Sequence, residues 1–170
     1  MRRRLLLLGA ASGLSGCGFH PVYGPLAKGG TIRPEMAAIY VAIFPERTGQ
    51  LLRQALQQRF EGTGEGVAKI YELSGGFSIA AEAIGIQQDS SSNRVRLDSR
   101  SSWQLRKLDP KQTLLTTGAN HFIDGFNINN QQYFAADLEQ ASAFERLAQT
   151  TADQIALDIA LYFRKQAATA

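Results

Sequence analysis

The sequence predicts an α+β fold, a two-layer sandwich in which a four-stranded mixed sheet, in the order β-α-β-β-β-α, carries two helices on one face. Three observations carry this. Between Ala68 and Phe126 lie three long segments with the period of a strand, joined by polar turns. Two other segments, around Leu52 to Phe60 and Phe144 to Tyr162, repeat apolar residues at helical intervals. A short apolar run ending at Pro45 supplies one more strand ahead of the first helix.

Taken in order, Ala37 to Phe44 reads as a strand buried on both faces, because its apolar residues run on without alternation. A helix then runs from about Pro45–Thr48 to Glu61. Leu52, Ala55, Leu56 and Phe60 form its apolar stripe, and Arg53, Gln54, Gln57 and Gln58 point away. Gly62 to Gly66 stops it. That glycine run follows a helix and lacks the Gly-Lys-Ser/Thr ending, so it does not read as a phosphate cradle.

Ala68 to Gln88 reads as a long strand with a bulge or bend at Gly75-Gly76. Asp89 to Asn93 is a hairpin loop. In the next strand Val95, Leu97, Trp103 and Leu105 share one parity, while Arg94, Arg96, Asp98, Arg100, Gln104 and Arg106 share the other. One face is therefore core and the other is in water. Asp109 to Gln112 turns the chain into a last strand, Thr113 to about Phe126. A long helix from about Asp137 to Lys165 closes the fold. It has capping-box candidates at Asp137/Gln140 and Ser142/Glu145, and an apolar stripe of Phe144, Leu147, Ala148, Ile155, Ile159 and Tyr162. Arg164 and Lys165 are expected at its carboxyl end, where cations suit the helix dipole.

The first residues read as an address. Arg2, Arg3 and Arg4 precede an apolar run, Leu5 to Leu14, too short for a bilayer span of about 20 residues but right for a secretory signal. The triple arginine suits Sec or twin-arginine export. Leu14-Ser15-Gly16-Cys17 is a lipobox: small residues let a peptidase reach the backbone before the single cysteine, whose thiol takes a lipid. The division expected is residues 1–16 as signal peptide, 17–36 as lipidated amino terminus and tether, and 37–170 as the α+β domain. Read as extended chain, Gly18 to Met36 reaches about 60 Å.

Cleavage before Cys17 changes the charge. The 18 Lys+Arg and 15 Asp+Glu of the whole chain become 15 and 15 once three leader arginines are removed, so the domain has no net basic footprint for nucleic acid. With Cys17 acylated, no thiol remains for a disulfide or a cysteine-based metal site.

An enzyme needs a nucleophile, a base and an orienting group, or a metal. His20 lies beside the anchor and His121 stands alone in a strand. Asp109, Asp124, Asp137 and Glu139 lie near turns or a helix start, where capping accounts for them. The expectation is a protein with no enzyme activity, no cofactor and no metal. Arg94, Arg96, Arg100 and Arg106 form a basic row on one strand face, and guanidinium groups bind phosphates in a fixed fork geometry. A solvated strand face is the plainer account of the same residues.

The run Cys17-Gly18-Phe19-His20-Pro21-Val22-Tyr23-Gly24 resembles the opening of the LPS-assembly lipoprotein family (LptE), where Cys-Gly-Phe-x-Pro-Leu-Tyr-Gly is typical. The strand and helix of Ile39 to Phe60, the Ser-x-Trp-x-Leu run of Ser101 to Leu105, and Tyr133-Phe134-Ala135 before an alanine-rich helix are similar to later parts of that family. Val22 replaces leucine, and Trp103 stands where tyrosine is common. The resemblance implies a non-enzymatic outer-membrane lipoprotein, anchored on the periplasmic side through three acyl chains on Cys17. Its partner would be the outer-membrane β-barrel LptD, which it plugs and helps to assemble, and it would bind lipopolysaccharide (LPS) for insertion into the outer leaflet. On that footing the arginine row at positions 94, 96, 100 and 106 is the expected contact for lipid A phosphates. A generic lipid-anchored scaffold for another envelope complex is the alternative, and a periplasmic enzyme working through Asp124 or Glu139 is a third class.

Overall fold

The structure, a computed structural model, describes residues 22–26, 29–61, 66–86, 92–127 and 133–169. Its elements are α1 (Arg33–Ala37), β1 (Ile39–Val41), α2 (Glu46–Glu61), β2 (Tyr71–Ile86), β3 (Ser92–Lys107), β4 (Leu114–Asn127) and α3 (Tyr133–Thr169). The strands form one sheet in the order β1-β2-β3-β4. β1 runs parallel to β2, and the other two pairs are antiparallel. The α+β class, the mixed four-stranded sheet and the two long helices on one face are as the sequence predicts. The short α1 is an addition.

The core lies between the odd-numbered side of β3 and the two long helices. Leu97, Leu105, Leu73, Leu52, Leu56, Phe60, Ile155 and Ile159 are fully buried there. On α2 the buried residues are those of the expected stripe, joined by Gly49, whose missing side chain lets the Phe44 backbone approach. On α3 the stripe is turned slightly from the expected one. Ala143, Leu147, Thr151, Ile155, Ile159 and Phe163 form a buried row at four-residue spacing, while Phe144 and Tyr162 are only partly buried. Ala148 of the expected stripe is joined by Ala152, Ala156 and Ala160 in a second buried row, and their small size brings α3 close to its neighbours. Arg59 ties the helices together, donating to Asp153 at 2.6 Å and to the Gln149 carbonyl at 3.1 Å.

Several boundaries differ from expectation, each for a physical reason. Only Ile39–Val41 is strand in the first apolar run, and Tyr40 is exposed on the water face, so β1 is buried on one side only. The expected tether is shorter. Pro34 in the first turn starts α1, and Ile32 and Met36, four residues apart, enter the core. Val22 and Leu26 also pack against the core, and the Val22 carbonyl accepts a bond from Arg164 at 2.8 Å. Arg164 therefore holds the chain's start and does not cap α3, which continues to Thr169. Because α3 begins at Tyr133, Asp137 and Ser142 lie inside the helix and cap nothing at its start.

The bulge expected at Gly75-Gly76 is absent. β2 and β3 stay in register from Tyr71↔Lys107 to Ile84↔Arg94, and the irregularity falls instead between β3 and β4 at Leu105/Arg106. Gly75 serves close approach, since a Cβ there would lie 2.2 Å from the Ser102 carbonyl oxygen.

Candidate functional site

β3 alternates cleanly, and this builds the candidate surface. Its odd residues from Val95 to Leu105 are buried under α2 and α3, so every even residue is turned to the uncovered face of the sheet. Arg94, Arg96, Arg100 and Arg106 thus share one face, as the sequence predicts, in a row about 40 Å long at roughly 3.3 Å per residue.

The row is not a line of bare cations. Arg96 donates to Glu82, its direct cross-strand neighbour on β2. Arg100 donates to Asp98 at 3.0 Å, and the other oxygen of Asp98 meets His121 Nε2 at 2.8 Å. Arg106 donates to Gln104 Oε1 at 3.1 Å and to the Gln112 carbonyl at 3.2 Å. The Arg96 and Arg100 side chains nonetheless stay 49% and 75% exposed, so water and ligands reach them. Exposed ion pairs of this kind are weak and exchange partners readily.

His121 and Asp109 fall into place on this geometry. The hydrogen bond from His121, with the nearby Arg100 charge, holds the Asp98 carboxyl below the usual aspartate range. Hydrogen bonds from the Thr113 backbone and side chain do the same for Asp109 in the β3–β4 turn. Both groups stabilise the fold fully above the ordinary aspartate range, and this is lost as pH falls through their lowered values. In a carbon-detected NMR titration, the Asp98 and Asp109 carboxyls are expected to move at lower pH than an unpaired aspartate. Replacing His121 by alanine should return Asp98, but not Asp109, toward the ordinary value.

The covered face holds a polar cluster that the residue pattern did not reveal. Ser99 and Ser101 occupy core positions, where Ser99 donates to the Phe122 carbonyl at 3.0 Å and Ser101 approaches Asn120. The Trp103 indole N–H donates to Asn120 Oδ1 at 3.0 Å. Asn120 Nδ2 donates to Asp158 on α3 at 3.3 Å, and Gln154 donates to the same carboxylate at 2.8 Å. This chain of bonds fixes α3 against β4. The signal in the sequence was the pair of serines at odd positions of β3.

Asp124 is held by Arg146 and by the Gly125 backbone N–H, while Glu139 lines a shallow hollow with Leu138, Ser142 and Arg146. Among the described residues, no cluster of His, Cys, Asp and Glu suits a metal ion, and no helix is long and apolar enough to cross a membrane. Cys17, the lipobox and the opening residues to Pro21 lie outside the described residues, as do most of the hairpin loop at Asp89 to Asn93 and the glycines at positions 62 and 64.

The fold has solved counterparts. A lipoprotein of Caulobacter crescentus is 21% identical, with a TM-score of 0.63 over 77% of this chain and 94% of its own. A minor lipoprotein of Acinetobacter baumannii is 12% identical, with a TM-score of 0.56 over 74% and 92%. Lipoprotein B of Nitrosomonas europaea is 11% identical, with a TM-score of 0.52 over 74% and 81%. At these identities the likeness concerns the fold. A search of curated protein sequences finds no match. The family model described as "LptE: Lipopolysaccharide-assembly" matches residues 36–159, from the end of α1 into the last turns of α3. With the whole sheet, all of α2 and most of α3 inside that match, this chain belongs to the LptE family of lipopolysaccharide-assembly proteins.

Proposed function

We propose that the protein is an outer-membrane lipoprotein, anchored through acylated Cys17, that seats in the lumen of an LptD-like β-barrel, assists its assembly, and contacts LPS through the uncovered face of its sheet. Beyond the family itself, the observation that carries this is the arginine row: four guanidinium groups on one face of β3, of which Arg96 and Arg100 are held by exposed ion pairs with Glu82 and Asp98, and Arg106 by Gln104 and the Gln112 carbonyl. The polar lumen of an outer-membrane barrel suits a plug whose second sheet face is ionic. No step of this role is chemical, and the protein acts as a non-enzymatic binding partner.

The fold gives the row a direction. Val22, five residues after Cys17, is bonded to Arg164 near the carboxyl end of α3, where Phe163 packs on Tyr71 at the start of β2 with ring centres 5.1 Å apart. Arg106 pairs with Glu72 at that same end, and Arg94 pairs with Ile84 at the other. On the proposed acylation of Cys17, chain length alone keeps the anchor within about 17 Å of Val22, and the arginines would lead away from it.

The test is a soluble form lacking the first 17 residues, titrated with LPS. Arg96→Glu combined with Arg100→Glu is expected to weaken binding tenfold or more, since each basic residue at an anionic lipid surface contributes about 1 kcal/mol and reversal adds repulsion. Unchanged binding would sink the assignment of the row. Isolation of the acylated protein in mild detergent without an accompanying large barrel would sink the partner.

A further inference from the structure

We infer that the outer edge of β2, from Ile79 to Ala83, is a docking edge that takes an extended segment of the partner barrel's polypeptide as a fifth strand. This rests on the barrel reading above and adds to it the place of contact.

β2 is sixteen residues long and pairs with β3 along its length, but β1 covers only Tyr71 to Leu73 on its other side. Odd-numbered residues of β2 turn their backbone groups to that outer side. The Tyr71 N–H donates to Ala38, the Leu73 carbonyl accepts from Ala42 at 2.9 Å, and the Phe77 carbonyl accepts from the Thr48 hydroxyl at 3.1 Å. The unbroken register carries this period onward, so Ile79, Ala81 and Ala83 direct their N–H and C=O groups outward. Among the described residues nothing bonds to these six groups.

Natural sheet edges are guarded by lysine, proline, bulges or covering loops. Among the described residues, the stretch Ser78-Ile79-Ala80-Ala81-Glu82-Ala83 has none of these, and its single charge is already bonded to Arg96. β4, the opposite edge, is different. It carries His121 and Asp124, and the Asp124 carboxylate occupies the Gly125 N–H at 2.7 Å.

The side chains describe the occupant. Ala81 and Ala83 are exposed on the helix side of the sheet, beside the buried Leu97 and Val95, so a neighbouring strand finds room there for large apolar residues at every second position. At the near end, Pro45, Glu46, Gly76, Phe77 and Ser78, with Arg100 of β3, line a cleft of about 360 Å³. Glu46 is exposed there in the left-handed region at φ 65° and has no ion-pair partner among the described residues, which suits a lysine or arginine on the incoming segment. A second copy of this chain fits poorly. Edge-to-edge pairing would set alanines against alanines and small neighbours, far short of the roughly 1,200 Å² that a stable dimer buries. A closed barrel wall has no free strand edge, so the segment is one that leaves the wall and enters the lumen.

The test uses the intact acylated protein produced together with its barrel, with a photo-crosslinking residue at position 81 or 83. Adducts to the barrel are expected at both positions. Ala81→Pro removes an outward N–H and leaves the bonds to β3 intact, so the fold is retained while recovery of the barrel falls about tenfold, the size expected for one or two backbone hydrogen bonds. Ala80→Pro, which loses a bond to β3, reports what misfolding looks like by circular dichroism. Glu46→Lys is expected to lower recovery without touching the strand. Barrel recovered with no adduct at either position, adducts to a second copy only, or unchanged recovery with Ala81→Pro would each overturn the docking edge while leaving the barrel reading standing. Failure of the unaltered protein to bring down a barrel would overturn both.

Discussion

Replacing Gly75 by alanine is expected to destabilise the protein by about 3 kcal/mol, a fall in Tm of roughly 10 °C for a chain of this size. The added Cβ would lie 2.2 Å from the Ser102 carbonyl oxygen and 2.9 Å from the Trp103 Cα, both backbone atoms of the paired strand, so no side chain can swing aside to make room. β2 and β3 would have to separate within the longest pairing in the sheet. Gly118 is the counterpart on β4, where a Cβ would meet the Trp103 ring at 2.4 Å. That ring is hydrogen-bonded to Asn120 and buried, so it too has little freedom. Gly76→Ala is the control: its added atom would meet only the Ser102 hydroxyl at 4.0 Å, and its Tm is expected to stay within about 2 °C of the parent. Thermal melts followed by circular dichroism distinguish the three. Equal losses at positions 75 and 76 would mean that glycine serves backbone bending there, as the sequence suggests, rather than close approach.

This pair of glycines shows where reading the chain stops. Period alone separates β3 into a core parity and a water parity, and both hold in the structure from Val95 to Leu105. It also places the stripe of α2. A glycine in a strand, however, means either a bulge or a neighbour pressing close, and only the partner strand decides between them. The same limit applies to α3. Alanine satisfies both the buried and the exposed side of a helix, so Ala152, Ala156 and Ala160 do not announce themselves, and the predicted stripe leans toward Phe144 and Tyr162. Ile32 and Met36 were hidden among prolines and glycines, where composition reads as tether although two apolar side chains four residues apart suffice to pin a single helical turn.

For the candidate surface the legible part was direction. Four arginines of one parity must share a face once the strand is established, and they do. Their partners were legible only in part: Asp98 has the same parity and sits two residues from Arg100, whereas Glu82 and His121 come from other strands and depend on hairpin register. A one-residue slip would have sent either to the opposite face. The outer edge of β2 depends on register in the same way. Its chemistry lies in backbone groups left over when β1 proves three residues long, and no side chain encodes that.

Cys17→Ser is expected to move the protein almost entirely from the membrane fraction to the soluble fraction, with its Tm changed by less than about 1 °C. The two halves of this expectation have separate causes. Each buried methylene of a lipid chain contributes about 0.8 kcal/mol, and two or more chains make anchoring stable where one is marginal. On the proposed acylation of Cys17, loss of that thiol removes the whole anchor. No described helix can span a bilayer in its place. The unchanged Tm follows from contacts among the described residues past the anchor: Val22 is bonded to Arg164, Leu26 packs on the core, and Ile32 and Met36 enter it. Fractionation followed by immunodetection checks the first half, and a melt of the released protein checks the second. If the serine variant stayed with the membrane after a high-salt wash, attachment would lie in the folded domain rather than in the lipid, and Val22, tied to α3 a few residues on, would no longer mark the membrane-proximal end. The order of the arginine row, from Arg106 near the anchor to Arg94 far from it, stands or falls with that result.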